Sequence, residues 1–111
     1  MSVQLTHQEM SSSAIRFSLQ KNDRDIARAF LYLIKNDLHA QPYGLLEDVF
    51  VQEQYRSQGY GRKMAHAVIE EAKKQGCYKL IGTSRYERKK VHQFYLDLGF
   101  REYGKEFRMN L

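Results

Sequence analysis

Between Val51 and Arg62 the sequence reads Val-Gln-Glu-Gln-Tyr-Arg-Ser-Gln-Gly-Tyr-Gly-Arg, and these residue types suit the binding of an anion. Gly59 and Gly61 carry no side chain, so a ligand can approach the backbone closely. The segment lies between an expected strand and an expected helix. The first turn of a helix has N–H groups without intrahelical partners, at the positive end of the helix dipole, and that combination binds phosphate. Arg56, Arg62 and Lys63 add full charges beside it. A tight surface turn with solvated arginines would have the same spacing. Other phosphate loops are absent. No G-x-x-x-x-G-K-[ST] run occurs, which argues against a nucleotide triphosphatase. Met64 stands where a third glycine of G-x-G-x-x-G would be, so no nicotinamide cofactor is expected. The four histidines show no metal-ligand spacing, and no metal is expected. His66 and His92 read as surface residues. Cys77 reads as a small residue packed at a helix-to-strand junction rather than as a nucleophile.

The elements that must position this loop can be read from periodicity. Ile15, Phe17 and Leu19 alternate with polar residues, as in a strand with one wet face. Lys21 to Asp25 is a polar turn. Ala27 to Ile34 is a nearly continuous apolar run that fits a central strand, and a break around Pro42 leads to a third strand, Leu45 to Val51. Val3 to Glu9 is a weak edge-strand expectation. From Gly61 the period changes: Met64, Ala65, Val68, Ile69 and Ala72 share one helical face, and Gly76 is placed to end that helix. A short strand at Tyr78 to Thr83 and a second helix at Glu87 to Leu98, stopped by Gly99, follow. Phe100 opens a last extended stretch in which Phe107, Met109 and Leu111 alternate. The strand-helix-strand crossover implies two parallel strands in an otherwise antiparallel sheet. The expected fold is therefore α/β of the α+β kind, with a mixed sheet of about six strands flanked by two helices.

With 111 residues, the chain reads as one domain, 1–111. Eight Tyr and six Phe are too many for a disordered tail. No apolar stretch approaches the ~20 residues of a membrane span, so no membrane partner is expected. The polar start and the single Cys77 point to the cytoplasm. The net charge of +5 is unevenly spread. Residues 1–55 carry five basic and seven acidic residues, and residues 56–111 carry thirteen and six. The second half is where an anion should be held.

Arg56-x-x-Gly59-x-Gly61 matches the [QR]-x-x-G-x-[GA] signature of the Gcn5-related N-acetyltransferases (GNAT), and the chain resembles a short member of that family. The resemblance runs from Tyr43 to Leu111. Leu46-Glu47-Asp48-Val49, Gly76-Cys77-Tyr78-Lys79 and Phe94-Tyr95 look most like glucosamine-6-phosphate N-acetyltransferases. Thr83-Ser84 with Val91-His92-Gln93-Phe94-Tyr95 also looks like small amine and aminophosphonate acetyltransferases. The resemblance implies a mostly antiparallel sheet with a central parallel pair and acetyl-CoA as cosubstrate. It also implies direct transfer of an acetyl group to a primary amine of a small molecule or peptide. Val49, Phe50 and Val51 would offer backbone groups to the pantetheine arm. Ser57, Gln58, Gly59, Tyr60, Gly61 and Arg62 would wrap the pyrophosphate, with Arg56 and Lys63 adding charge. Tyr95 matches the family's tyrosine acid, and a phenol's pKa near 10 suits a departing thiolate. Glu47 and Asp48 are candidate bases, expected on opposite faces of their strand. Where the family often has an asparagine, this chain has Arg85 or Arg88. Arg88 is taken as the cation that meets the 3′-phosphate, within a basic collar of Arg85, Arg88, Lys89 and Lys90.

The resemblance implies a first strand and two helices ahead of the strands seen here, and with roughly ten residues before the first clear strand they are not expected in this sequence. The acceptor cleft is therefore expected to be open or closed by a second copy, and a homodimer is the expected assembly. A catalytically inactive CoA-binding or regulatory module is the alternative function. A nucleic-acid-binding protein is suggested only by the pI of about 9.4 and the basic second half.

Overall fold

Asn22 and Asp23 both take positive φ, 53° and 62°, the conformation that a two-residue hairpin turn demands and that Asn and Asp tolerate best. They join β1 (Ser13–Lys21) to β2 (Arg24–Ile34) in a computed structural model that describes residues 2–111. The turn is thus two residues long, and Asp25 already belongs to β2. β2 pairs antiparallel with β3 (Tyr43–Val51), and β3 pairs parallel with β4 (Leu80–Gly82), giving the sheet order β1-β2-β3-β4. Helix α1 (Tyr60–Lys74) makes the crossover between the parallel strands, and α2 (Lys89–Asp97) follows β4.

The core lies between α1 and one sheet face. Met64, Val68 and Ala72 of α1 pack on Ala27, Ala29 and Leu31 of β2 and Leu46 of β3. The two alanines are 2% and 0% exposed, and their small side chains let the helix approach the central strand closely. Gly44 serves the same packing from β3. A β-carbon there would lie 2.8 Å from Leu80 Cδ1 and 2.9 Å from Leu31 Cδ1. Both helices end in the same way. Cys77 N donates to Ala72 O and Gly76 N to Lys73 O after α1; Phe100 N donates to Tyr95 O and Gly99 N to Leu96 O after α2. This is the double-bonded glycine stop, with Gly76 and Gly99 at positive φ.

The mixed, mostly antiparallel sheet with two helices is as expected, but its extent is smaller. Val3 to Glu9 forms no strand and is exposed. Residues 101–111 form no strand either, although Phe107, Met109 and Leu111 alternate; all three are exposed. Alternation alone supplies no partner, and an unpaired segment keeps its backbone bonds to water. Among the described residues the sheet accordingly has four strands rather than six, and the parallel pair lies at an edge with β4 outermost. β4 is also shorter than Tyr78 to Thr83, and α2 starts two residues later than Glu87.

Candidate active site

The pairing of β3 with β4 stops at Leu46 and Gly82, while β3 runs on to Val51. From Glu47 onward one edge of β3 is therefore free. The free edge begins at a β-bulge: the register passes from Arg28↔Phe50 to Phe30↔Glu47, so Ala29 faces two residues. Asp48 takes φ 51° in that bulge. Gln52 N donates to Ile26 O at 2.9 Å across the β2 side. Backbone groups of successive residues turn to opposite edges, so Phe50 also turns toward β2, and Val51 and the carbonyl of Val49 turn toward the free edge. Of the three residues expected to offer backbone groups outward, Phe50 does not. The Val51 carbonyl is already taken by Arg56 Nε at 2.8 Å.

Beyond β3 the chain makes a short 3-10 turn (Glu53–Tyr55) and enters α1. Ser57 and Gly59 both adopt positive φ, 64° and 83°. Lys63 N is the first donor of the helix with a backbone acceptor, Gly59 O at 3.0 Å. Among the described residues no acceptor meets the N–H groups of residues 57–62. Six consecutive N–H groups are thus left without a partner at the start of the helix. The first turn of α1 contains no acidic residue, and Arg62 and Lys63 are exposed there. Cations at this end oppose the helix dipole, a cost that an anion in the loop offsets. A β-carbon on Gly61 would meet only Val51 Cγ2, at 3.8 Å, so the protein's own packing leaves room for one.

Arg56 sits differently from the expectation. Its guanidinium lies 5.4 Å from the Phe50 ring centroid, with Arg28 on the same ring at 4.7 Å. With the Nε bond to Val51 O, this fixes the turn to the end of β3. Arg56 braces the loop, while Arg62 and Lys63 are free to face a ligand. Arg28 was not legible as a site neighbour, because β2 reads as a structural strand and nothing in its spacing announces the Phe50 contact.

Where the β3–β4 pairing ends, a gap opens beside β3, and Tyr95 of α2 stands on the side of it that faces the core. Its ring packs over Gly82, edge-on to Phe100 at 5.1 Å and to Phe94 at 5.9 Å between centroids. Burial pushes its phenol above the ordinary value of 10.0, the Glu47 charge pushes the same way, and Arg88 pulls it back. Glu47 is half-buried on the opposite sheet face. Its carboxyl is raised above 4.5, first by burial, then by the charges of Asp48 and Glu106. Glu47 and Tyr95 therefore sense each other across the end of the β3–β4 pairing, one on each face. The two carboxylates do not split between faces as strict alternation requires. The bulge breaks the alternation, and Glu47 and Asp48 line one depression with Tyr32, Ile34, Leu45 and Ser12.

Arg88 occupies the N-cap position of α2 without a side-chain cap bond, and Arg85, Lys89 and Lys90 are exposed around it. His92 is half-buried rather than on the open surface. Its Nε2 lies 2.7 Å from Arg85 O and ties the 83–88 segment to α2. His66 is exposed, and burial pushes the Cys77 thiol up, away from the thiolate a nucleophile needs. No group of three metal-ligating side chains occurs among the described residues, and no helix there is long and apolar enough to cross a membrane.

The model of the acetyltransferase (GNAT) family matches residues 5–100. Over 68 residues, 61% of this chain, the sequence is 37% identical to a glucosamine 6-phosphate N-acetyltransferase from Trypanosoma brucei brucei, of which it spans 44%. The structure is similar to that of an acetyltransferase from Trypanosoma brucei, with a TM-score of 0.77 and 31% identity over 88% of this chain and 69% of that one. It shares its fold, at a TM-score of 0.73 and 20% identity, with an aminoglycoside N-acetyltransferase solved in complex with CoA, covering 86% of this chain and 74% of that one. An open strand edge running into a loop of free N–H groups, on a fold and a sequence shared with these proteins, places the chain in the acetyltransferase (GNAT) family.

Proposed function

We propose that the chain binds acetyl-CoA at the free edge of β3 and transfers its acetyl group directly to a primary amine. The observation that carries this reading is the continuity of the edge that β4 leaves open, with the Val49 carbonyl and the Val51 N–H on it, with the six unpartnered N–H groups of residues 57–62. The edge suits an amide-bearing arm laid like an added strand, and the loop suits a pyrophosphate. Arg62, Lys63 and Arg88 supply charge around it.

The amine lone pair attacks the thioester carbonyl, a C–N bond forms and the C–S bond breaks. Glu47, or a water it holds, takes the proton lost by the amine, and Tyr95 gives a proton to the departing thiolate. The raised Tyr95 keeps its proton at neutral pH, as an acid must, and the raised Glu47 moves toward the pH at which a base works. The two lie on opposite sides of the gap through which the thioester would pass. Calorimetry with acetyl-CoA and a free-thiol release assay with primary amines test the reading. Micromolar binding with amine-dependent thiol release is expected, and binding without release from any amine would leave a CoA-binding module.

The proposed assembly is a homodimer, supported by the uncovered sheet face that carries Tyr32 and Phe50, 37% and 39% exposed. The proposed compartment is the cytoplasm, supported by a single unpaired Cys77.

A further inference from the structure

The depression lined by Ser12, Tyr32, Ile34, Leu45, Glu47 and Asp48 has a volume of about 340 Å³ and opens on the sheet face away from α1. It abuts the bulge where the free edge of β3 begins, so it is where an acceptor would wait for the acetyl group. Its walls are of two kinds. Tyr32 and Leu45 are cross-strand partners, and Ile34 follows on the same face of β2. The Tyr32 ring is stacked on Phe30, with 6.1 Å between centroids and 19° between planes, which fixes that wall. At the other end stand the Glu47 and Asp48 carboxylates, and Glu106 adds a third negative charge within range of Glu47.

Among the described residues no cation lines this depression. The arginines of the face are gathered elsewhere, in a smaller cleft of about 130 Å³ that shares no lining residue with it. There Arg16 is committed to Asp25 at 2.9 Å, and Arg28 is stacked on Phe50. An ammonium group would meet carboxylates and a fixed apolar wall. A phosphate on the same small molecule would meet those carboxylates with nothing to compensate it.

Resting on the acetyltransferase reading above, we propose that the acceptor is a primary amine on an aromatic or aliphatic skeleton that carries no anionic group. Glucosamine 6-phosphate, the substrate in the name of the Trypanosoma relative, is the wrong class for this pocket. The amine nitrogen lies toward Glu47, and the skeleton lies against Tyr32 and Leu45.

Thiol release from acetyl-CoA is measured with phenethylamine, hexylamine, glucosamine and glucosamine 6-phosphate, alongside calorimetry of acetyl-CoA alone. The expected result is a kcat/KM for phenethylamine or hexylamine at least about tenfold above that for glucosamine 6-phosphate. Asp48→Asn keeps a residue that tolerates positive φ and removes one charge. It should raise the KM for phenethylamine about fivefold or more while the KM for acetyl-CoA stays unchanged. Leu45→Ala should do the same through the wall. Glucosamine 6-phosphate turned over as well as or better than the apolar amines would overturn the acceptor class and leave the acetyltransferase reading standing. Equal KM for phenethylamine in wild type and Asp48→Asn would remove the carboxylate from the proposal. A protein that binds no acetyl-CoA would sink the underlying reading instead.

Discussion

A β-carbon placed on Gly82 would lie 2.7 Å from Tyr95 Cε1 and 3.2 Å from its hydroxyl oxygen. The last paired residue of β4 is therefore a glycine because the Tyr95 ring occupies the space a side chain would take. The ring cannot swing aside cheaply, since Phe100 and Phe94 flank it and the glycine stop of α2 bonds through the Tyr95 carbonyl. Gly82→Ala should displace the hydroxyl from the end of the β3–β4 pairing. The expected outcome is a fall in kcat of about tenfold or more with unchanged acetyl-CoA affinity, and an overpacking cost of about 1–3 kcal/mol seen as a lower Tm. A folded Gly82→Ala protein with wild-type kcat would mean that the position of Tyr95 does not govern the reaction.

Tyr95→Phe separates packing from chemistry. The ring keeps its edge-on contacts with Phe94 and Phe100, and only the hydroxyl is lost. If the phenol is the acid, kcat falls about 10²-fold while Tm and acetyl-CoA affinity hold. Full activity in this variant would leave Tyr95 as a packing residue alone.

The sequence made the loop and the helices legible for physical reasons that the structure bears out. Gly59, Gly76 and Gly99 adopt positive φ where each helix starts or stops, and Met64, Val68 and Ala72 keep the 3.6-residue period that buries them. What escaped depends on partners distant in sequence. A bulge inserts one residue without changing composition, so the convergence of Glu47 and Asp48 was invisible, as was the turning of Phe50 toward β2. Gly82 did carry a signal, since a glycine after the apolar pair Leu80-Ile81 marks a close approach. The alternation of Phe107, Met109 and Leu111 failed because a strand needs a neighbour as well as a pattern.

Gly61 tests the loop. A β-carbon there makes only an ordinary contact with Val51, so the fold tolerates the first atom of a side chain. The branches of a valine would stand among the free N–H groups of residues 57–62. Gly61→Val should keep a cooperative unfolding transition and lose measurable acetyl-CoA binding. Unchanged affinity in the folded variant would remove the loop from the cofactor site.

Assembly can be checked directly. Tyr32 and Phe50 leave apolar surface on the face that α1 and α2 do not cover. Light scattering at micromolar concentration should give about twice the 13.2 kDa of one chain. Tyr32→Ser with Phe50→Ser should shift that mass toward the monomer. A wild-type monomer with full activity would show that one chain closes its own acceptor site.

The pH dependence follows from Glu47. Burial raises its carboxyl most, and the Asp48 and Glu106 charges raise it further, so it ionises above the ordinary 4.5. A base must be ionised to accept a proton, so kcat should fall on the acid side with a midpoint above 4.5. Asp48→Asn should move that midpoint down, and Glu106→Gln should move it less in the same direction. Stability has the opposite preference. A carboxyl whose folded pKa exceeds its unfolded one stabilises the fold fully below the unfolded value, and that contribution is lost as pH rises through the folded value. At pH 7 an ionised Glu47 is therefore less well accommodated than a neutral amide of the same shape. Glu47→Gln should lower kcat at least about tenfold while raising Tm at pH 7, and the Tm difference from wild type should shrink as pH falls below 4.5. A Tm difference that does not vary with pH would show that the Glu47 charge is not what the fold resists.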